Sequence, residues 1–95
     1  MMHDRAVFYF ANLGADVVRC ALAAESGKMQ DYESSLNRAH STLRRIEKEG
    51  RPEAYEEGLL LLRGLEYART ARTIPAFLED LNAVIQPFAA RMAFA

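Results

Sequence analysis

Apolar residues recur at intervals of three and four along four stretches of this 95-residue sequence, and glycine or proline falls where most stretches pause. This interval is the period of a helix with one apolar face. The pauses are only a few residues long, and such short connections favour antiparallel neighbours. We therefore expect an all-α fold, an antiparallel up-down four-helix bundle that forms a single domain over residues 1–95. The predicted helices cover about residues 4–25, 29–48, 52–72 and 74–93.

Residues at the predicted helix ends match the backbone geometry that each end requires. Gly27 and Gly50 follow the first and second helices, where a left-handed residue commonly ends a helix. Pro52 suits the first turn of the third helix, because the backbone amide that proline lacks has no partner there. Asp4 and Thr73 are suitable N-caps for the first and fourth helices.

The second and fourth helices carry ordinary one-sided apolar stripes. The fourth also contains Pro87, which removes a backbone hydrogen bond and costs about 3 kcal/mol inside a helix. This predicts a kink near Ala83, or a break after which Gln86 begins a short helix. A bundle of three helices with a reorganised terminus is the alternative. The stripe of the second helix consists of Met29, Tyr32, Leu36, Ala39, Leu43 and Ile46.

The first and third helices have more apolar surface than one face requires. In the third helix, four consecutive leucines cover a full turn. In the first, the polar residues form one thin stripe of Arg5, Asn12, Asp16 and Arg19. Excess apolar surface usually marks a partner, so we expect a homo-oligomer, with a dimer favoured, or a helical protein partner. The candidate interaction surface is Val7, Phe8, Tyr9, Phe10, Leu13, Leu59, Leu60, Leu61 and Leu62.

The charge of the chain limits the classes of partner. A formal net charge of −1 argues against a domain whose main task is to wrap nucleic acid or to lie on an anionic membrane. Arginine outnumbers lysine, however, and a candidate basic patch lies late in the second helix. Phosphate contact is one interpretation of this patch, and a solvated face of ion pairs is the favoured one. The patch consists of Arg38, Arg44, Arg45 and Arg51.

No residue pattern predicts a catalytic site, a cofactor or a metal centre. His40 lacks the Glu-x-x-His spacing of di-iron bundles, because Asn37 stands three residues before it. Cys20 has no histidine near it in sequence, so we expect it to pack as a small buried hydrophobe. Gly14 and Gly64 lie inside helices, and close approach of another helix is our preferred explanation for both.

The sequence also favours a cytoplasmic location. A single cysteine excludes an intrachain disulfide and fits a reducing compartment. Asn12 and Asp16 interrupt the apolar N-terminal stretch too early for a signal peptide, and no stretch approaches the roughly 20 apolar residues of a membrane span. We therefore expect no membrane partner.

Together these patterns favour a non-enzymatic protein–protein interaction module that self-associates through apolar surface of the first and third helices. The alternative is a small regulatory or nucleic-acid-associated protein that uses the arginine-rich face of the second helix. Nucleic acid is the less favoured partner, because the chain has no net positive charge.

Overall fold

A computed structural model describes residues 5–83 as helices joined by short turns, with no strand among these residues. The prediction of an all-α, four-helix fold is confirmed, and the antiparallel arrangement stays a prediction. The described helices are α1 (Arg5–Glu25), α2 (Met29–Lys48), α3 (Pro52–Ala71) and α4 (74–83). Asp4, the kink or break at Pro87 and the predicted extension of the fourth helix to residue 93 lie outside the described residues.

The residues at the helix ends adopt backbone conformations that their residue types favour, with one exception. Gly27 and Gly50 have φ angles of 72° and 71°, and Pro52 occupies the first turn of α3, as predicted. Arg72 is the exception, because it adopts a left-handed φ of 60° although it carries a side chain. Its backbone is held by the turn, in which the Thr73 amide donates to the Ala68 carbonyl at 2.8 Å. α3 therefore ends one residue before the predicted boundary.

The wide apolar surface of α1 is mostly covered by the chain itself. α1 contacts both α2 and α3, and a helix with two neighbours buries more of its circumference than a helix with one. The surplus that predicted a partner for α1 is therefore largely core, which corrects that part of the expectation. Its buried residues are Ala6, Phe10, Leu13, Gly14, Asp16, Val17, Cys20, Ala21 and Ala23.

The predicted stripe of α2 faces this core. Tyr32, Ala39, Leu43 and Ile46 are buried, and Leu36 is partly buried against them. Met29 differs, because its position in the first turn of α2 leaves it 39% exposed.

Two glycines of α3 allow other helices to come close. A Cβ atom at Gly58 would lie 2.7 Å from Leu13 Cδ2 and 2.8 Å from Leu43 Cδ1. A Cβ atom at Gly64 would lie 3.1 Å from the Phe77 ring, which confirms close packing at Gly64. Close packing at Gly58, where α1, α2 and α3 meet, was not predicted from the sequence.

α1 is also long and apolar enough to cross a membrane by length and composition alone. An 18-residue window of α1 reaches a mean hydropathy of 1.3, and half of that window is buried in the bundle. This corrects the prediction that no stretch approaches such a span. The core helix of a globular protein passes the same test, so the finding is weak evidence for a membrane span.

Candidate functional site

The predicted apolar interaction surface divides into core and exposed residues. Phe10, Leu13, Leu61 and Leu62 are buried in the core. They cannot form a surface, because α1 and α3 turn these side chains toward each other and toward α2. Val7, Tyr9 and Leu59 are partly buried against the same core. The two members of the predicted surface that remain well exposed are Phe8 and Leu60, at 64% and 58%.

Leu60 belongs to an exposed strip on α3. Tyr67 lies two turns further along the helix and is 74% exposed. Because seven residues are close to two turns, both side chains lie on one face of α3. Beside Leu60, a cavity of about 190 Å³ opens between α3 and α4. Its lining is Glu57, Leu60, Leu61, Phe77, Asp80 and Leu81, so the cavity has apolar walls and two carboxylates.

The charges along α3 are unevenly distributed. Glu53, Glu56 and Glu57 lie before Leu60 in the first two turns. Arg63 and Arg69 follow it, with Glu66 between them. The first half of α3 is therefore acidic, and the second half has a small excess of positive charge.

The structure separates the four residues of the predicted basic patch. Arg45 lies with its guanidinium carbon 5.9 Å from the centre of the Tyr9 ring, so it reaches toward α1. Arg44 instead donates a hydrogen bond to Ser41 on its own helix at 3.2 Å. Arg51 lies in the connection to α3 and pairs with the Glu53 carboxylate. The four arginines therefore do not share one surface, because adjacent positions on a helix point about 100° apart and Arg51 lies beyond the end of α2.

Arg38 takes part in an ion-paired cluster that the sequence did not indicate. The Asp16 side chain is only 8% exposed, and its Oδ1 lies 2.9 Å from Arg19 Nη1 and 3.5 Å from Arg38 Nε. Arg38 Nη2 also donates to Ser35 Oγ at 3.1 Å. Asp16 belongs to the thin polar stripe of α1, but the packing of α2 buries it. The spacing of Asp16 and Arg19 was a local signal for one pair, whereas the Arg38 contact depends on how α2 packs.

This cluster lies in the middle of a polar groove along α1 and α2. Two adjoining cavities of about 520 and 490 Å³ share Arg19 and Arg38 in their linings. Lys28 and Arg45 add positive charge, and Asp31 is the second acid beside Asp16. Four cationic side chains thus line the groove against two carboxylates. Its uncharged polar lining consists of Asn12, Ser26, Ser34, Ser35, Asn37, Ser41 and Thr42.

Cys20 lies in the core behind this groove. It is fully buried, and its Sγ donates to the Tyr32 carbonyl oxygen at 3.7 Å. Burial raises the pKa of the Cys20 thiol from 9.0 to about 11, with a smaller contribution from the Asp16 charge. A thiol with this pKa is protonated at neutral pH and is a poor nucleophile. The prediction that Cys20 serves as a packing residue is confirmed.

His40 and Tyr32 have different surroundings. His40 is half-buried on α2. Within residues 5–83, no group of three or more His, Cys, Asp and Glu side chains is placed to hold a metal ion.

The Tyr32 ring is buried beneath the Arg69 guanidinium, whose carbon lies 4.6 Å from the ring centre. Burial raises the pKa of the Tyr32 hydroxyl, and Arg69 opposes that rise. Arg69 therefore covers the core at this end of α3.

Comparison with known proteins finds no matching family model, no similar curated protein and no similar solved structure.

Proposed function

We propose that this chain is a non-enzymatic interaction module that forms a homodimer through the exposed strip of α3. The observation that carries the proposal is the exposure of Leu60 and Tyr67 on one face of a helix whose other leucines are buried or partly buried. Apolar side chains that are exposed together on one face commonly mark an interface. Phe8, the exposed member of the predicted surface on α1, is a further candidate contact.

The charges of α3 favour a second copy of the chain as the partner. In a two-fold dimer, the same surface of each copy meets itself. If two α3 helices cross antiparallel and centre on Leu60, the two Leu60 side chains meet, and Arg63 of each copy lies beside Glu57 of the other. Tyr67 then lies beside Glu53. The net charge of −1 causes little repulsion between copies.

Analytical ultracentrifugation over a concentration series tests this dimer. We expect the wild type to show a concentration-dependent mass that approaches twice 10.7 kDa. Leu60→Glu should weaken dimerisation at least about tenfold, because two carboxylates would meet at the centre of an apolar contact. Leu22→Glu is the matched control, since Leu22 is 54% exposed on another helix. A wild type that stays monomeric at high micromolar concentration would contradict the proposal.

A charge exchange tests the proposed register. Arg63→Glu should weaken the dimer because it places like charges together. Adding Glu57→Arg to that variant should restore the dimer, because the two signs are exchanged across the interface. Failure of the double variant to recover, with both variants folded by circular dichroism, would refute the α3 register but not dimerisation as such.

The alternative, a regulatory or nucleic-acid-associated protein, ranks second. The groove supports it through Arg38 and Arg45, whereas Arg44 and Arg51 lie elsewhere. A gel shift with duplex DNA tests it, with Arg38→Glu as the sensitive variant and Arg44→Glu as the control.

We also propose a cytoplasmic location, which the protonated, buried Cys20 and the core position of α1 support.

A further inference from the structure

We propose that the groove along α1 and α2 binds a small ligand that carries a chain of phosphates, with Arg19 and Arg38 as its central contacts. This site lies on different helix faces from the proposed dimer contact and does not depend on it. The inference rests on three observations: a buried carboxylate that orients two arginines, an excess of positive charge, and a lining without aromatic residues.

Asp16 holds the two guanidinium groups side by side. A single oxygen, Oδ1, accepts from Arg19 Nη1 and Arg38 Nε, which joins the two helices at this point. The Arg38 side chain is held further by Ser35. An arginine has five N–H donors, and the side chains of Arg19 and Arg38 remain 60% and 57% exposed. The pair therefore keeps donors available to a ligand on the same side of the buried Asp16 carboxylate.

The charges along the groove indicate a ligand with more than one anionic group. Arg45 lies seven residues after Arg38, which corresponds to about 10 Å along α2. Lys28 lines the other end of the groove. Guanidinium groups bind phosphate oxygens in a bidentate manner, and serine and threonine hydroxyls donate to phosphate. A phosphate chain can contact the Arg19–Arg38 pair and extend toward Arg45 past Ser41.

A nucleic-acid strand fits this groove less well. None of the side chains that line the two cavities is aromatic, so unpaired bases have no surface on which to stack. The chain as a whole has a net charge of −1, so it lacks the extended positive field on which nucleic-acid affinity largely depends.

Isothermal titration calorimetry with sodium tripolyphosphate at low ionic strength tests the proposal. We expect saturable binding of one ligand per chain, at least tenfold tighter than binding of inorganic phosphate. Arg38→Gln and Arg19→Gln should each weaken binding at least tenfold. Arg5→Gln is the matched control, because Arg5 is exposed on α1 about 20 Å along the helix from Arg19 and lines neither cavity. Its affinity should remain within twofold of the wild type.

Three results would overturn the proposal. The first is absence of saturable tripolyphosphate binding at millimolar concentration. The second is an equal loss of affinity in Arg38→Gln and Arg5→Gln, with all variants folded by circular dichroism, since this would indicate diffuse charge attraction. The third is tighter binding of a single-stranded oligonucleotide than of tripolyphosphate, which would favour nucleic acid. Repeating the titration with Leu60→Glu separates this site from the dimer, since its affinity should be unchanged.

Discussion

The α1–α2 pair and the α3–α4 pair contain similar kinds of residues but use them differently. α1 and α2 pack along their length, with Cys20 against Tyr32 in the core and an ion pair between Asp16 and Arg38 at the edge. In the second pair, Phe77 rests against Gly64, and the cavity beside them has apolar walls. The first pair therefore presents a cationic polar groove, and the second presents an apolar cavity with two carboxylates.

A helix with more apolar residues than one face requires can bury the additional residues in the core or leave them exposed on the surface. α1 contacts two neighbouring helices, so its apolar surplus is largely core, although Phe8 and Leu22 stay exposed. α3 is less deeply covered, so Leu60 and Tyr67 stay exposed on it. The position of a helix in the bundle decides whether its surplus apolar side chains face the interior or solvent.

We expect the free energy of unfolding to fall at alkaline pH, because the Cys20 thiol is buried between α1 and α2 and resists ionisation there. Its pKa is about 11 in the folded chain against 9.0 when unperturbed. Folding favours the neutral thiol, and this preference contributes to the free energy of unfolding. The contribution is fully present below pH 9 and is lost as pH rises from 9 through 11. A tenfold change in acid dissociation corresponds to about 1.4 kcal/mol, so the total loss is about 3 kcal/mol.

Urea unfolding between pH 8 and pH 11.5 measures this loss. Cys20→Ala is the control, because it cannot titrate at this position but keeps every tyrosine of the wild type. Its free energy of unfolding should fall less steeply with pH than that of the wild type. Parallel curves for the two proteins would show that the thiol titrates normally and that the α1–α2 core is open to water.

The same substitution at two glycines compares the packing of α3 in both regions. Alanine at Gly58 would press on Leu13 and Leu43, which are buried and have little room to move. We expect the cost of this crowding to exceed the gain from the higher helix propensity of alanine. The free energy of unfolding should therefore fall by about 1 kcal/mol. Alanine at Gly64 meets only the half-buried Phe77 ring. That ring can shift by a few tenths of an ångström, so we expect a gain of about 0.5 kcal/mol.

Chemical denaturation of both variants at neutral pH provides the measurement. Opposite signs would confirm that the junction of three helices is tightly packed and that the α3–α4 contact is looser. A gain at both glycines would mean that Leu13 and Leu43 adapt as readily as Phe77, and the two regions would then not differ in packing.

Local signals made the helix ends predictable, whereas contacts between helices were not. Gly27, Gly50 and Pro52 act through their own backbone, so the sequence indicates their positions directly. The close approach at Gly58 and the burial of Asp16 depend on side chains from other helices. The periodicity identifies the apolar face of α1 but not the number of helices that cover it. For this reason the predicted interaction surface included core residues, and the groove was missed.

The turn between α3 and α4 differs from the first two turns in the residue that adopts the left-handed conformation. Gly27 and Gly50 satisfy the left-handed geometry at the first two turns, but Arg72 adopts it with a side chain present. A non-glycine residue in this conformation costs about 1 kcal/mol. Arg72→Gly relieves that cost, although glycine gains freedom in the unfolded chain. We therefore expect a net gain of about 0.5 kcal/mol in thermal or chemical unfolding.

Gly50→Ala is the reciprocal variant, because it introduces left-handed backbone strain where Arg72→Gly removes it. The two changes in the free energy of unfolding can therefore be compared directly. The added Cβ atom would have no other atom within 4 Å, so crowding does not contribute to the result. We expect a loss of about 1 kcal/mol. If Arg72→Gly destabilises the chain instead, contacts of the Arg72 side chain outweigh its backbone strain. The third turn would then depend on its side chain, whereas the first two depend on glycine alone.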